Sequence, residues 1–132
     1  MADISLALLL VDGQVLMFKR ENKKGDQFAG KYGIPGGHVE EKESTKDAAV
    51  RETWEETCVM MKNPTFVNKY KFENNTIYLY AEEIPNTNGV KLNHEHTDYK
   101  LFDPEELGKN PEIIPTTKFM YNDYINKNPK NG

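Results

Sequence analysis

Gly37-His38-Val39-Glu40-Glu41-Lys42-Glu43-Ser44-Thr45-Lys46-Asp47-Ala48-Ala49-Val50-Arg51-Glu52-Thr53-Trp54-Glu55-Glu56-Thr57-Cys58-Val59 is the stretch that governs how the whole chain is read. Ser44 followed three residues later by Asp47 has the spacing of a helix N-cap, a variant of the capping box, and predicts a helix from about Ser44 to Thr57. At about 100° per residue, Glu52, Glu55 and Glu56 fall at roughly 0°, 300° and 40°, so three carboxylates share one sector of that helix. Val50, Trp54 and Cys58 follow one stripe, and Ala49, Thr53 and Thr57 its neighbour. This small-to-apolar side is expected to pack on a sheet, with the acids pointing elsewhere.

Carboxylates at i, i+3 and i+4 repel one another by a few tenths of a kcal/mol per pair. Arg51 can pair with Glu55, but one guanidinium does not neutralise three acids. Hard divalent cations, Mg²⁺ or Mn²⁺, are the natural partners of an all-oxygen cluster. A solvated acidic helix face is the alternative, and spacing alone leaves both open.

Working outward, Ile4 to Val11 and Gln14 to Lys19 read as strands joined by the hairpin dipeptide Asp12-Gly13. Glu21 to Gly33 reads as a polar loop. Thr65 to Phe72 and Thr76 to Glu82 carry β-branched and aromatic residues on either side of Glu73-Asn74-Asn75, which predicts a second hairpin. Asp98 to Phe102 adds a strand. Thr116 to Asn126 places Phe119, Met120, Tyr124 and Ile125 near helical spacing, a closing helix. Strands mixed with two helices argue a layered α/β domain.

A length of 132 residues is expected to form one domain, residues 1–132, with a lean core at 37% apolar residues. Seventeen Lys and Arg against 21 Asp and Glu leave a net charge of −4, so the overall field favours neither nucleic-acid phosphates nor anionic membranes, and neither is expected as a partner. Leu6 to Val11 is too short for a membrane span and lacks the basic approach of a signal peptide. The single cysteine, Cys58, excludes an internal disulfide and a multi-cysteine zinc site, and the default compartment is the reducing cytoplasm. No basic neighbour in sequence activates its thiol, so Cys58 is read as a packed side chain. Asn128 to Gly132 are expected to fray, and a homodimer is the prior for oligomeric state.

With Gly37, Glu43, Arg51, Glu52, Glu55 and Glu56 at their spacings, the stretch resembles the signature of the Nudix (MutT-like) hydrolase family, G-x5-E-x7-R-E-U-x-E-E-x-G-U, where U is bulky and apolar. Tyr32-Gly33-Ile34-Pro35-Gly36-Gly37-His38-Val39-Glu40 also resembles the family's approach to that signature. Two positions depart from it: Thr53 replaces an aliphatic residue, and Cys58 stands where the family has the glycine that ends the helix. If a left-handed backbone is needed there, a side chain costs on the order of 1 kcal/mol. The resemblance implies an α/β/α sandwich with a mixed central sheet and the signature loop and helix. It implies Glu52 and Glu56 as principal metal ligands, Glu55 as a further ligand or a base acting through water, and Gly37 as a carbonyl ligand. Arg51 and Glu43 become organisers of the acids.

Leu92 to Phe102 resembles the family's later segment, where an acid approaches the metal ahead of an aromatic strand, so Glu95 is the candidate for another ligand or the general base. A solvated loop glutamate is the other reading, and Glu82 and Glu83 are fallback acids. The His94 and His96 pair can be read as a metal site by itself, but two lone histidines in a polar loop read rather as solvated or hydrogen-bonded. Phe28, Tyr32, Tyr78, Tyr80 and Phe102 are candidates to stack on a base, or are core; Lys19, Arg20, Lys23 and Lys24 are candidates to receive phosphates, or balance the surface. The implied chemistry is Mg²⁺-assisted hydrolysis of a nucleoside diphosphate linked to a group X, with Glu55, Glu56 or Glu95 removing a proton. In its compact length the chain resembles the family's triphosphate-cleaving members, which implies a (d)NTP such as an oxidised dNTP, giving NMP and pyrophosphate. Nucleotide sugars, ADP-ribose and dinucleoside polyphosphates are the alternatives, along with a catalytically silent nucleotide-binding protein or a simple cation-binding domain.

Overall fold

A computed structural model describes residues 2–127. The frayed end expected at 128–132 lies outside the described residues. In chain order the elements are β1 (Ala2–Val11), β2 (Gln14–Arg20), β3 (Tyr32–Gly33), β4 (Gly36–His38), α1 (Thr45–Thr57), β5 (Thr65–Phe72), β6 (Asn75–Glu83), β7 (His96–Phe102), α2 (Pro104–Leu107) and α3 (Pro115–Lys127).

β1 is the axis of a mixed sheet. One edge pairs in parallel with β6 from Ala2 to Leu10. Its other edge is shared: Leu9 to Val11 pair antiparallel with β2, while Ile4 to Leu6 pair antiparallel with β4. Between them the Ala7 amide donates to the carbonyl of Pro35 at 2.9 Å. β5 extends the sheet beyond β6, and β2 also pairs with β3 and β7.

A strand covered on both faces needs apolar residues at every position, and the run Ala7 to Val11 is buried throughout. Leu8 and Leu10, with Val15 and Met17 of β2, pack with Met120 and Tyr121 of α3. Ala7 and Leu9, with Leu16 and Phe18, pack with Ala49 of α1. The result is the α/β/α sandwich expected from the sequence. Ser5 Oγ donates to the Thr45 carbonyl at 2.7 Å, and Thr45 Oγ1 shares a 2.6 Å hydrogen bond with the Tyr80 hydroxyl, so both ends of that contact fix the start of α1 on the sheet.

Three short elements escaped the sequence reading. β3 lies inside the expected polar loop, β4 is the glycine pair and His38, and α2 is a single capped turn. The packing face of α1 also differs from the expected one. Ala48, Ala49, Thr53, Glu56 and Thr57 are buried, whereas Trp54 is 46% exposed. Centred on that face, the helix turns an acid inward and its largest aromatic ring outward.

α1 ends at Cys58, which adopts φ 60° and ψ 19° and donates its amide to the Trp54 carbonyl at 2.9 Å. The family's helix exit is therefore kept with a residue that is strained there. The left-handed conformation costs a residue with a Cβ about 1–2 kcal/mol, more than the backbone-entropy cost of glycine, about 0.5–1 kcal/mol. Cys58→Gly is accordingly expected to exceed Cys58→Ala in stability by about 0.5–1 kcal/mol in urea unfolding; equal midpoints would remove strain at this residue from the account.

Candidate active site

The site begins where the sheet edge of β1 changes partner. Gly36 adopts φ 149°, and a Cβ there would sit 2.1 Å from the Ser5 carbonyl oxygen. At Gly37 a Cβ would lie 2.5 Å from Cδ of Glu52 and 2.6 Å from its Oε1. The Glu52 carboxylate thus rests directly on the Gly37 backbone, in space that exists only because both residues lack side chains.

Arg51 gathers the acids around this contact. Its Nε and Nη2 donate to Glu43 at 2.7 and 3.1 Å, a forked pair with one carboxylate. Nη1 donates to Glu52 at 2.9 Å and Glu55 at 3.1 Å, and Nη2 also donates to the His38 carbonyl at 3.1 Å. Glu43 in turn accepts from the Glu40 amide at 3.0 Å. The guanidinium, aided by that amide, holds the Glu43 carboxyl below the usual carboxylate range. One side chain therefore joins the loop before α1 to three acids, two of them on α1.

Glu56 is the acid that Arg51 does not reach. Its residue is 6% exposed. Burial, a hydrogen bond with Glu52 and the nearby charges of Glu95 and Glu52 push its carboxyl well above the usual carboxylate range, opposed by a hydrogen bond from the Gly36 amide. A buried carboxyl beside two other acids demands either a proton or a cation. The donor set consists of hard oxygens, and the glycine cradle brings Glu52 against the backbone next to Glu56, so the residues fit a divalent cation. Among the described residues no three acidic, histidine or cysteine side chains form a closed metal cage.

The expected site residues divide. Gly37, Arg51, Glu52, Glu55 and Glu56 come together, with Glu55 at the exposed rim. Glu95 joins them from the turn before β7, anchored by its carbonyl to the Glu21 amide at 3.0 Å and by its amide to Asn93 Oδ1 at 2.9 Å. Tyr32 and Tyr80, expected to stack on a base or to be core, are placed in the core. Tyr32 is 5% exposed, edge-on to Phe102, with its hydroxyl donated to Asp98 at 2.9 Å. Tyr80 is buried in the α1 face and engaged by Thr45. Their apolar rings complete the two cores, and their hydroxyls are already partnered. Phe28 remains half-buried in the loop between β2 and β3. Arg20 pairs with Asp26 at 2.8 Å, while Lys19 is half-buried on β2 opposite Tyr32 and Asp98. The fallback acid Glu82 accepts from the amides of Lys62 and Asn63, holding the turn before β5.

Sequence reasoning missed His96. It is not solvated: its side chain is 7% exposed, with Nε2 4.0 Å from Oε1 of Glu56, and burial lowers its affinity for a proton. The available signal was its position at the head of a strand beside Glu95.

A family model of the NUDIX domain matches residues 2–122, and the chain belongs to this family, whose members are hydrolases acting on pyrophosphate bonds of nucleotides and generally use a divalent metal. Among its relatives, the CTP pyrophosphohydrolase of Escherichia coli K12 is 32% identical over 113 residues, 84% of this chain and 82% of that protein. The nucleoside triphosphatase NudI of the same strain is 30% identical over 114 residues, 76% of this chain and 80% of its own. The fold is shared with the MutT protein from Methanosarcina mazei Go1, at a TM-score of 0.77 and 24% identity, covering 98% of this chain and 96% of that one. Among the described residues no helix is long and apolar enough to cross a membrane.

Two outcomes follow from this geometry. Gly37→Ala pushes the Glu52 carboxylate off its seat, so its affinity for Mg²⁺ by calorimetry should fall about tenfold or more while the far-ultraviolet spectrum is unchanged; wild-type affinity would show that the glycine contact is incidental. The raised proton affinity of Glu56 also has a pH signature. A folded-state carboxyl that binds its proton more tightly than the unfolded chain does contributes stability at low pH, and this contribution is lost as pH rises above the ordinary carboxylate value. Without divalent metal, Tm should therefore fall between about pH 6 and about pH 8, and saturating Mg²⁺ should flatten that slope because binding replaces the proton. A metal-free Tm that rises over the same interval would contradict a protonated Glu56.

Proposed function

We propose that the chain is a Mg²⁺-dependent nucleoside triphosphate pyrophosphohydrolase that releases a nucleoside monophosphate and pyrophosphate. Mn²⁺ serves as an alternative metal. The observation that carries this reading is the arrangement around Glu52 and Glu56: one carboxylate seated on Gly37, the other buried beside it, and Arg51 holding the flanking acids clear. The names of the relatives acting on CTP and nucleoside triphosphates support the substrate class.

In this proposal Glu52, Glu56 and the Gly37 carbonyl hold the cation. When bound, it supplies neutralisation of phosphate charge and a more acidic water. Glu95 takes the proton from the attacking water, because it stands near enough to act on Glu56 yet outside the Arg51 network that occupies Glu55. Arg51 and Glu43 are positioning residues that keep the acids of α1 in one orientation. Lys19 and Arg20 lie on the strand that pairs with β7 and receive phosphate oxygens, and Phe28 offers a ring to the base.

The test is release of phosphate and pyrophosphate, with Mg²⁺, across NTPs, dNTPs, 8-oxo-dGTP, ADP-ribose, GDP-mannose and diadenosine polyphosphates. Pyrophosphate from triphosphates, reduced at least about a hundredfold in Glu56→Gln, is the expected result. Turnover confined to nucleotide sugars, ADP-ribose or dinucleoside polyphosphates would replace the substrate class. Silence across the panel with Mg²⁺ bound would leave a nucleotide-binding role.

A further inference from the structure

His96 opens β7 opposite Arg20, where the pairing register of β2 and β7 shifts. Its ring lies 5.7 Å from that of Phe18, and Nε2 faces Oε1 of Glu56 at 4.0 Å. Nδ1 is buried with no hydrogen-bond partner among the described residues. A neutral imidazole carries a single N–H, and its place is set by where an acceptor stands. With nothing to receive a proton from Nδ1, the N–H belongs on Nε2, toward the Glu56 carboxylate.

The segment that delivers this ring is tied to the end of α1 by Lys91, whose amide donates to the Thr57 carbonyl at 2.9 Å, and above all by Asn93. Asn93 donates its side-chain amide to the Glu55 carbonyl at 3.3 Å and its backbone amide to the Glu56 carbonyl at 3.4 Å. Its Oδ1 accepts from the Glu95 amide at 2.9 Å, and its carbonyl accepts from the His96 amide at 3.4 Å. The last turn of the acidic helix and the start of β7 are thereby held in one frame, and the distance between His96 and Glu56 is set by the backbone and side-chain contacts of Asn93.

We infer that His96 is a positioning residue of the metal site: its Nε2–H, directed at Oε1 of Glu56, fixes the orientation of that carboxylate. The inference rests on the proposed role of Glu56 as a metal ligand. A separation of 4.0 Å is longer than a hydrogen bond, and such contacts tighten once the ligands of a site are engaged. Partners of this kind around a ligating side chain change metal affinity or activity by about 10–100-fold when removed.

Three substitutions separate orientation from packing. His96→Phe keeps a ring against Phe18 and removes both nitrogens; His96→Gln places an amide N–H at the reach of Nε2; His96→Asn places one only at the reach of Nδ1. The readouts are the dissociation constant for Mg²⁺ by calorimetry without nucleotide, Tm, and kcat and KM on the nucleotide that the substrate panel identifies. His96→Phe and His96→Asn are expected to weaken Mg²⁺ binding and lower kcat about tenfold or more with the nucleotide KM unchanged, and His96→Gln to stay within about threefold of wild type. Should His96→Phe not fold, His96→Asn against His96→Gln decides. Wild-type Mg²⁺ affinity in the variants lacking a donor at Nε2, or equal losses in all three, overturns the inference, as does a wild-type protein that binds no Mg²⁺. A wild type that binds Mg²⁺ but cleaves no nucleotide defeats the proposed function alone, since the comparison of Mg²⁺ affinities still reads the role of His96.

Discussion

The guanidinium of Arg51 is the constraint on which the site depends. Left to themselves, Glu43, Glu52 and Glu55 would repel one another and spread into solvent. Arg51 reaches all three and the His38 carbonyl as well. Its planar fork matches the Glu43 carboxylate, a fit that a point-like ammonium does not reproduce. Because Glu43 lies before α1 and the other two lie on it, the same interaction sets the angle at which the loop meets the helix. The position of Glu52 on Gly37 follows from that angle.

Glu56 is the complement of this arrangement. It has been taken out of water with no lysine or arginine paired to it among the described residues, which leaves a local demand for positive charge. Local instability of this sort is what a folded chain tolerates where a ligand will relieve it. The burial that makes Glu56 costly also lowers the effective dielectric around it, so any cation attracted there is held more strongly than on an exposed acidic helix.

Much of this was legible in the sequence, for identifiable reasons. Asp12-Gly13 marked the first hairpin because few dipeptides accept a positive φ at both positions, as both residues do here. Ser44 and Asp47 marked the start of α1, and the Ser44 hydroxyl does accept from the Asp47 amide at 3.0 Å. The inward face of α1 was not legible, because apolar periodicity assigns a tryptophan inward and a glutamate outward, and the helix does the reverse with Trp54 and Glu56. Tyr32 and Tyr80 were ambiguous for a related reason: a tyrosine on a strand has the same letters whether its ring lies in the core or on a wall. His96 was hidden because its burial comes from β2 and α1, both distant in sequence. β3 and β4, at two and three residues, are set by their partners and carry no period of their own.

The divided edge of β1 determines how the site can move. Gly36 and Gly37 are rungs of the same sheet that carries Ala7, Leu8 and Leu9, and the Ala7 amide is bound within that seam. The glycine pair under Glu52 therefore belongs to the central sheet and opens only when the central strand does, so its amides should belong to the slowest-exchanging set in the protein. Binding free energy gained on such a base is shared with the whole cooperative unit, so a ligand held there acts on global unfolding.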